Sequence, residues 1–171
     1  MKRIVPSLFV LALVGGCSGG LDQQSAVKVM GAALVGTGAA QSKLMPASMT
    51  GTGTTFNGQV ENSGGTGSAQ VNGSTTQSGN GWSVTFDILF SKWTDAGSSV
   101  TLDGSLHEAA TFTSLNPLTG SVKISGALTA AGAVQGTVDF DLSVDYSPSS
   151  YKVSGNVGGS SVNASGSISG G

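Results

Sequence analysis

The sequence predicts a mainly β protein: an antiparallel meander of about eight strands, strongly curled or barrel-like, with one N-terminal helix packed on the sheet. Three observations carry that expectation. From Thr54 onward the apolar residues recur every second position, the period of a sheet with one buried and one wet face. Short runs rich in Gly, Ser, Asn and Pro separate the alternating segments, and connections that short force antiparallel neighbours. Ahead of Thr54, residues 23–41 show helical spacing instead.

The elements follow in order. Asp22 stands where a helix N-cap belongs, and Val27, Met30, Leu34 and Val35 fall on one side of the helix it would open. Gly31, Gly36 and Gly38 each weaken that helix by about 1 kcal/mol relative to Ala, so it depends on tertiary contacts. Lys43 to Gly53, with Pro46, reads as a connector. Strands are then expected at 54–61, 68–76, 82–93, 99–113, 120–129, 133–146, 151–157 and 161–169. In the third, Trp82, Val84, Phe86, Ile88 and Phe90 alternate with Ser83, Thr85, Asp87 and Ser91. In the sixth, Val134, Val138, Phe140, Leu142, Val144 and Tyr146 alternate with Gln135, Thr137, Asp139, Asp141, Ser143 and Asp145. Trp93 and Phe112 lie near strand ends, where exposure is expected.

A glycine row crosses seven of these strands, including Gly58, Gly73, Gly104, Gly126, Gly136, Gly155 and Gly166. By parity each belongs to the apolar face. Strand glycines there mark either sharp coiling of the sheet or a groove in which the Ala/Gly-rich helix lies close. Their irregular intervals argue against a solenoid, which repeats at a fixed period.

The N-terminus carries a different signal. Lys2 and Arg3 precede an apolar run, Ile4 to Val14, too short for a stable membrane span, and the run closes on Val14-Gly15-Gly16-Cys17. This resembles the lipobox of bacterial lipoproteins, departing from it where Leu is preferred at Val14 and Ala or Ser at Gly15. The resemblance implies cleavage between Gly16 and Cys17 and acylation of Cys17. Ser18, where an inner-membrane retention signal has Asp, implies the outer membrane by the same likeness. Cys17 is the only cysteine, so no intramolecular disulfide is possible and a lone thiol in an exported chain is accounted for. The expected organisation is a signal peptide at 1–16, a lipidated tether at 17–20, the helix at 21–41, the connector at 42–53 and a β domain at 54–171. The last resembles the Gly/Ser/Thr-rich β lipoproteins of Gram-negative bacteria.

Composition narrows the function. Beyond residue 16 the chain holds five lysines, nine acids and no arginine, a net charge of −4 that disfavours nucleic-acid and nucleotide partners. His107, the only histidine, belongs to the polar face beside Thr101 and Asp103, and no G-x-S-x-G elbow accompanies it. Asp139, Asp141 and Asp145 share a wet face with no calcium loop around them, which suits solubility better than a metal. Trp82, Phe86, Phe90, Phe140 and Tyr146 read as core, with an apolar ligand pocket as the other use of such a stripe. Asn163-Ala-Ser165 fits a glycosylation sequon, without weight in a bacterial protein.

The expectation is a non-enzymatic, lipid-anchored envelope protein with a structural or interaction role, no cofactor and no metal. Its partners are the membrane through Cys17 and an apolar ligand or envelope protein. One alternative is a periplasmic carrier of an apolar ligand such as a lipid. The other is an eight-stranded outer-membrane barrel, opposed by the lack of paired aromatic girdles and by the terminal Gly171.

Overall fold

In a computed structural model, residues 21–44, 53–62, 64–95, 97, 99–115 and 117–167 are described. Cys17, Gly16, the expected signal peptide and most of the connector lie outside the described residues. The chain runs α1 (Gln23–Leu44), β1 (Thr54–Glu61), β2 (Ser68–Ser78), β3 (Gly81–Asp95), β4 (Val100–Leu115), β5 (Leu118–Gly132), β6 (Gly136–Ser147), β7 (Ser150–Val157) and β8 (Ser160–Ser167). All eight strands form one sheet in sequence order, every neighbouring pair antiparallel. No pairing between β1 and β8 is present among the described residues.

Turn chemistry explains why the meander folds back where it does. Gly158 and Gly159 take φ +56° and +84°, the left-handed pair that a two-residue hairpin loop requires, and β7 meets β8 directly behind them. The longer β1–β2 loop is tied to β3: Asn62 Nδ2 donates to the Thr94 carbonyl at 2.7 Å, and Thr94 N donates to the Thr66 carbonyl at 2.9 Å.

One hydrophobic cluster draws residues from α1 and from every strand. Phe86, Ile88, Phe90, Leu102, Leu128, Val138, Phe140 and Val157 are all buried in it. The opposite face carries Ser, Thr, Asn, Asp and Lys, so the period-2 alternation does separate a core side from a wet side.

Trp93 corrects the expectation of exposure. Parity along β3 would turn it outward, but a bulge between Phe90 and Trp93 inserts an extra residue. Lys92 takes the strain at φ +48°, its N–H donating to Asp103 Oδ1 at 2.9 Å. Trp93 is thereby returned to the core, where it is 2% exposed and packs edge-on against Phe90. Its indole N–H is buried without a hydrogen-bond partner among the described residues, a cost of about 1–3 kcal/mol. Phe112, the other residue expected near a strand end, is half-buried.

The helix begins as its N-cap dictates. Ser25 donates its backbone N–H to Asp22 Oδ1 at 2.9 Å and its hydroxyl to Asp22 Oδ2 at 2.7 Å. The helix continues to Leu44, past the expected end at 41. Its buried face differs from the expected one. Ala26, Val29, Met30, Ala32, Ala33 and Thr37 are buried, whereas Leu34 is 38% and Val35 53% exposed. Val29 and Met30 share this face with the small residues Ala26, Ala32 and Ala33, and Gly36 marks where the helix backbone lies close to large sheet side chains.

The close approach is made by a helix glycine, not by the glycine row. A Cβ on Gly36 would lie 2.5 Å from Phe90 Cε1 and 3.2 Å from Trp93 Cε2. A Cβ on Gly126 would instead strike the Ser105 carbonyl oxygen and Leu106 of β4, and one on Gly136 meets nothing within 4 Å. Both strand glycines have a positive φ, +137° and +120°. Gly104, Gly126, Gly136 and Gly155, all with positive φ and with no helix atom among the nearest to where a Cβ would stand, therefore serve strand conformation, and the helix groove of the sequence expectation is not built from these four.

Candidate functional site

Among the described residues three regions gather chemistry-bearing groups: a polar row on the wet face, an aromatic row at one end of the core face, and the start of α1.

The polar row follows from register. Asp87 faces His107 across β3 and β4, His107 faces Ser125 across β4 and β5, and Ser125 faces Asp141 across β5 and β6. His107 Nδ1 and Asp87 Oδ1 are 2.7 Å apart, with the two side chains 49% and 71% exposed. Aspartate, histidine and serine thus stand in the order of a hydrolytic triad. The arrangement stops short of that chemistry, because no hydrogen bond joins Ser125 to His107 among the described residues. A carboxylate so exposed is also screened by water, and the backbone N–H groups there serve the sheet ladder rather than an oxyanion hole. Next to this row lies an open depression of about 290 Å³ that includes Leu89, an apolar side chain half exposed on the wet face.

Asp139 faces Ala127, Asp141 faces Ser125 and Asn156, and Asp145 faces Ser121 and Lys152. Among the described residues no three His, Cys, Asp or Glu side chains gather closely enough to hold a metal ion. Asn163 is exposed on β8 opposite Ser154.

The aromatic row lies at the end of the sheet where β2–β3, β4–β5 and β6–β7 turn. Trp82 faces Phe112, Phe112 faces Gly120, Gly120 faces Tyr146, Tyr146 faces Tyr151, and Tyr151 faces Gly166. Phe112 and Tyr146 have ring centroids 6.3 Å apart. The Tyr151 ring occupies the space that a Cβ on Gly166 would take, so glycines in this row make room for neighbouring rings. Burial, then the charge of Glu108 and the neighbouring Tyr151, pushes the Tyr146 hydroxyl above its ordinary value of 10.0. Tyr146 therefore remains a protonated donor near neutral pH. An open depression of about 450 Å³ lies beside Tyr146 and Tyr151, flanked by Asp145, Lys152 and Ser165.

Of the aromatic residues singled out from sequence, Phe86, Phe90 and Phe140 are core, each no more than 4% exposed. Trp82 and Tyr146 belong to the aromatic row, together with Phe112 and Tyr151. Sequence reasoning did not group those last two with the others. The signal was present in the two-residue β6–β7 loop, Pro148-Ser149, whose register sets Tyr146 against Tyr151.

The start of α1 is held at the opposite end. Leu21 N donates to the Gly158 carbonyl at 2.8 Å, and Ser160 Oγ donates to the Leu21 carbonyl at 2.6 Å. The Leu21 side chain lies over Gly158. The helix body contacts β1, β2, β3 and β4. Among the described residues no helix is long and apolar enough to cross a membrane.

No family model, no curated protein and no solved structure matches this chain.

Proposed function

We propose that the chain is a lipid-anchored bacterial envelope protein of the outer membrane, with a structural or interaction role and no catalytic activity. The observation that carries this reading is Cys17, the only cysteine, closing the lipobox-like Val14-Gly15-Gly16-Cys17 after a charged and then apolar leader. Two features of the folded body support it. Leu21, four positions after Cys17 in sequence, is pinned to the β7–β8 turn. The polar groups of the wet face are spread across strands rather than gathered at one reacting point, as suits a displayed surface.

In this reading the sheet curls so that its apolar face closes on itself. Val60 on β1 and Val162 on β8 are 2% and 3% exposed, although each lies on an outer strand. With strands about 4.8 Å apart, a flat sheet would put β8 about 19 Å from β4, and a helix pinned at the β7–β8 turn with its body on β1 to β4 bridges that span more easily over a curled sheet.

The carrier alternative draws on the aromatic row, which would rim the end of a curled sheet that α1 leaves open. The outer-membrane barrel alternative has less support, since the face such a barrel turns to lipid here carries Ser, Thr, Asn, Asp and Lys.

Labelled palmitate fed to producing cells should mark the wild-type protein and not Cys17→Ser, which should leave the membrane fraction. An unmarked wild type would overturn the anchor. Native mass spectrometry of the anchor-free domain separates the first two readings: a co-purifying acyl ligand selects the carrier, and a bare mass selects the structural role.

A further inference from the structure

Resting on the lipid-anchor reading, we propose that α1 is a membrane-surface helix, its outward face lying on the bilayer that holds Cys17. The helix has two apolar stripes and the sheet uses only one. Ala26, Val29, Met30 and Ala33 are buried, while Leu34 and Val35 are among the most exposed large apolar side chains of the described residues. Val27, half-buried, and Gly31, exposed with nothing within 4 Å of where its Cβ would be, stand on the same outward side. At 100° per residue, positions 27, 31, 34 and 35 fall within about one third of the helix circumference, an arc shared with one exposed polar residue, Gln24, in the first turn. Single exposed apolar residues mean little, but a contiguous stripe on one element calls for an occupant.

Chain length names the occupant. Only Ser18, Gly19 and Gly20 separate Cys17 from Leu21, a reach of at most about 14 Å. Leu21 is fixed to the β7–β8 hairpin by its N–H donating to the Gly158 carbonyl and its carbonyl accepting from the Ser160 hydroxyl, so the helix cannot swing clear of its own anchor point. An acylated Cys17 therefore keeps the start of α1 at the lipid headgroups. From there the axis carries Val35 only about 18 Å beyond Gln23.

Charge agrees with that placement. The 22 residues of α1 include Lys28 and Lys43 and no acid; Asp22, exposed, caps the start of the helix, and the remaining acids are all in the sheet and its loops. Lys28 stands beside Val27 on the outward side, where a long cationic stem can lie on apolar surface and keep its ammonium among lipid phosphates. A carboxylate on this stripe would oppose an anionic headgroup layer, and none is present.

The test uses the full chain purified from membranes. With Cys17 acylated, Val35→Cys supplies one reactive thiol for an environment-sensitive dye, and Asp141→Cys supplies the matching probe on the wet face. Each labelled protein is reconstituted into phosphatidylethanolamine/phosphatidylglycerol vesicles with and without doxyl-labelled lipid. The expected result is emission shifted to shorter wavelength and quenched by doxyl lipid at position 35 alone, the shift being lost when Leu34→Glu is added. Equal, water-like emission at both positions overturns the proposal. So does a dye at position 35 that is shielded yet unquenched, the signature of a protein covering the stripe. Intact mass of the same samples reads the anchor separately. A mass without acyl chains overturns the anchor reading and this proposal together, whereas an acylated protein with a water-exposed position 35 overturns the proposal only.

Discussion

Replacing Gly36 by Ala sets two magnitudes against each other at the helix–sheet contact. In an isolated helix the change is favourable by about 1 kcal/mol, because glycine loses more backbone freedom on folding. Here the new methyl would lie 2.5 Å from Phe90 Cε1, with Phe90 Cζ and Trp93 Cε2 both at 3.2 Å. Those rings cannot step aside cheaply, since each is 2% exposed and they pack edge-on at a centroid distance of 6.1 Å. Overpacking of this kind costs typically 1–3 kcal/mol. The collision is severe enough to place the cost in the upper part of that range, so the net expectation is a loss of about 1–2 kcal/mol. Gly31→Ala is the internal control: the position is exposed with nothing within 4 Å, so only the helix-propensity gain of up to about 1 kcal/mol remains. Urea unfolding followed by tryptophan fluorescence reads both, with Trp93 reporting at the contact itself. A Gly36→Ala protein as stable as wild type would refute the close-approach argument. A destabilised Gly31→Ala would refute the assignment of the outward face.

Phe86→Ala, in the middle of the core, should cost about 3–5 kcal/mol, while Asp141→Asn on the wet face should change stability by less than about 0.5 kcal/mol. Equal urea midpoints for the two would show that the faces are misassigned. Gly136→Ala should cost about 1–3 kcal/mol through its positive φ alone, and Gly126→Ala should cost more because its methyl also meets the β4 backbone. Thermal melts that reverse this order would remove the backbone account of the glycine row. Asp22→Ala should fray the start of α1, seen as faster amide exchange at Ser25 and Ala26. The Asp22 carboxyl is held below its ordinary 3.8, first by the Ser25 hydroxyl and then by the Ser25 N–H. Its contribution is therefore fully present above that ordinary value and lost as pH falls through the lowered one. Protection at the helix start should accordingly persist at neutral pH and fade only in acid, and fading near neutrality would contradict the cap.

The sequence by itself determined the strand count, the order of elements and the two faces of the sheet. Side chains alternate strictly along a strand, and Gly, Asn and Pro at the turns leave the chain little choice of where to reverse. β1 shows this most plainly, since the alternation places it at 54–61 and it forms from Thr54 to Glu61. Register in the aromatic row was recoverable too, because a two-residue loop at Pro148-Ser149 leaves only one pairing for Tyr146. Tertiary structure decided what periodicity cannot express. A bulge at Lys92 reverses parity for Trp93; the successive polar residues Ser91 and Lys92 interrupt the alternation there, but an interruption of period reads equally as a strand end. On α1 both stripes are apolar, and choosing between them depends on the shape of the opposing surface. The sheet presents Phe90 and Trp93, so the helix turns Gly36 toward them, with Ala26, Val29, Met30 and Ala33 buried on the same side, and Leu34 and Val35 are left facing out. Hydrophobicity alone does not separate the two stripes, and close packing admits only the side that fits.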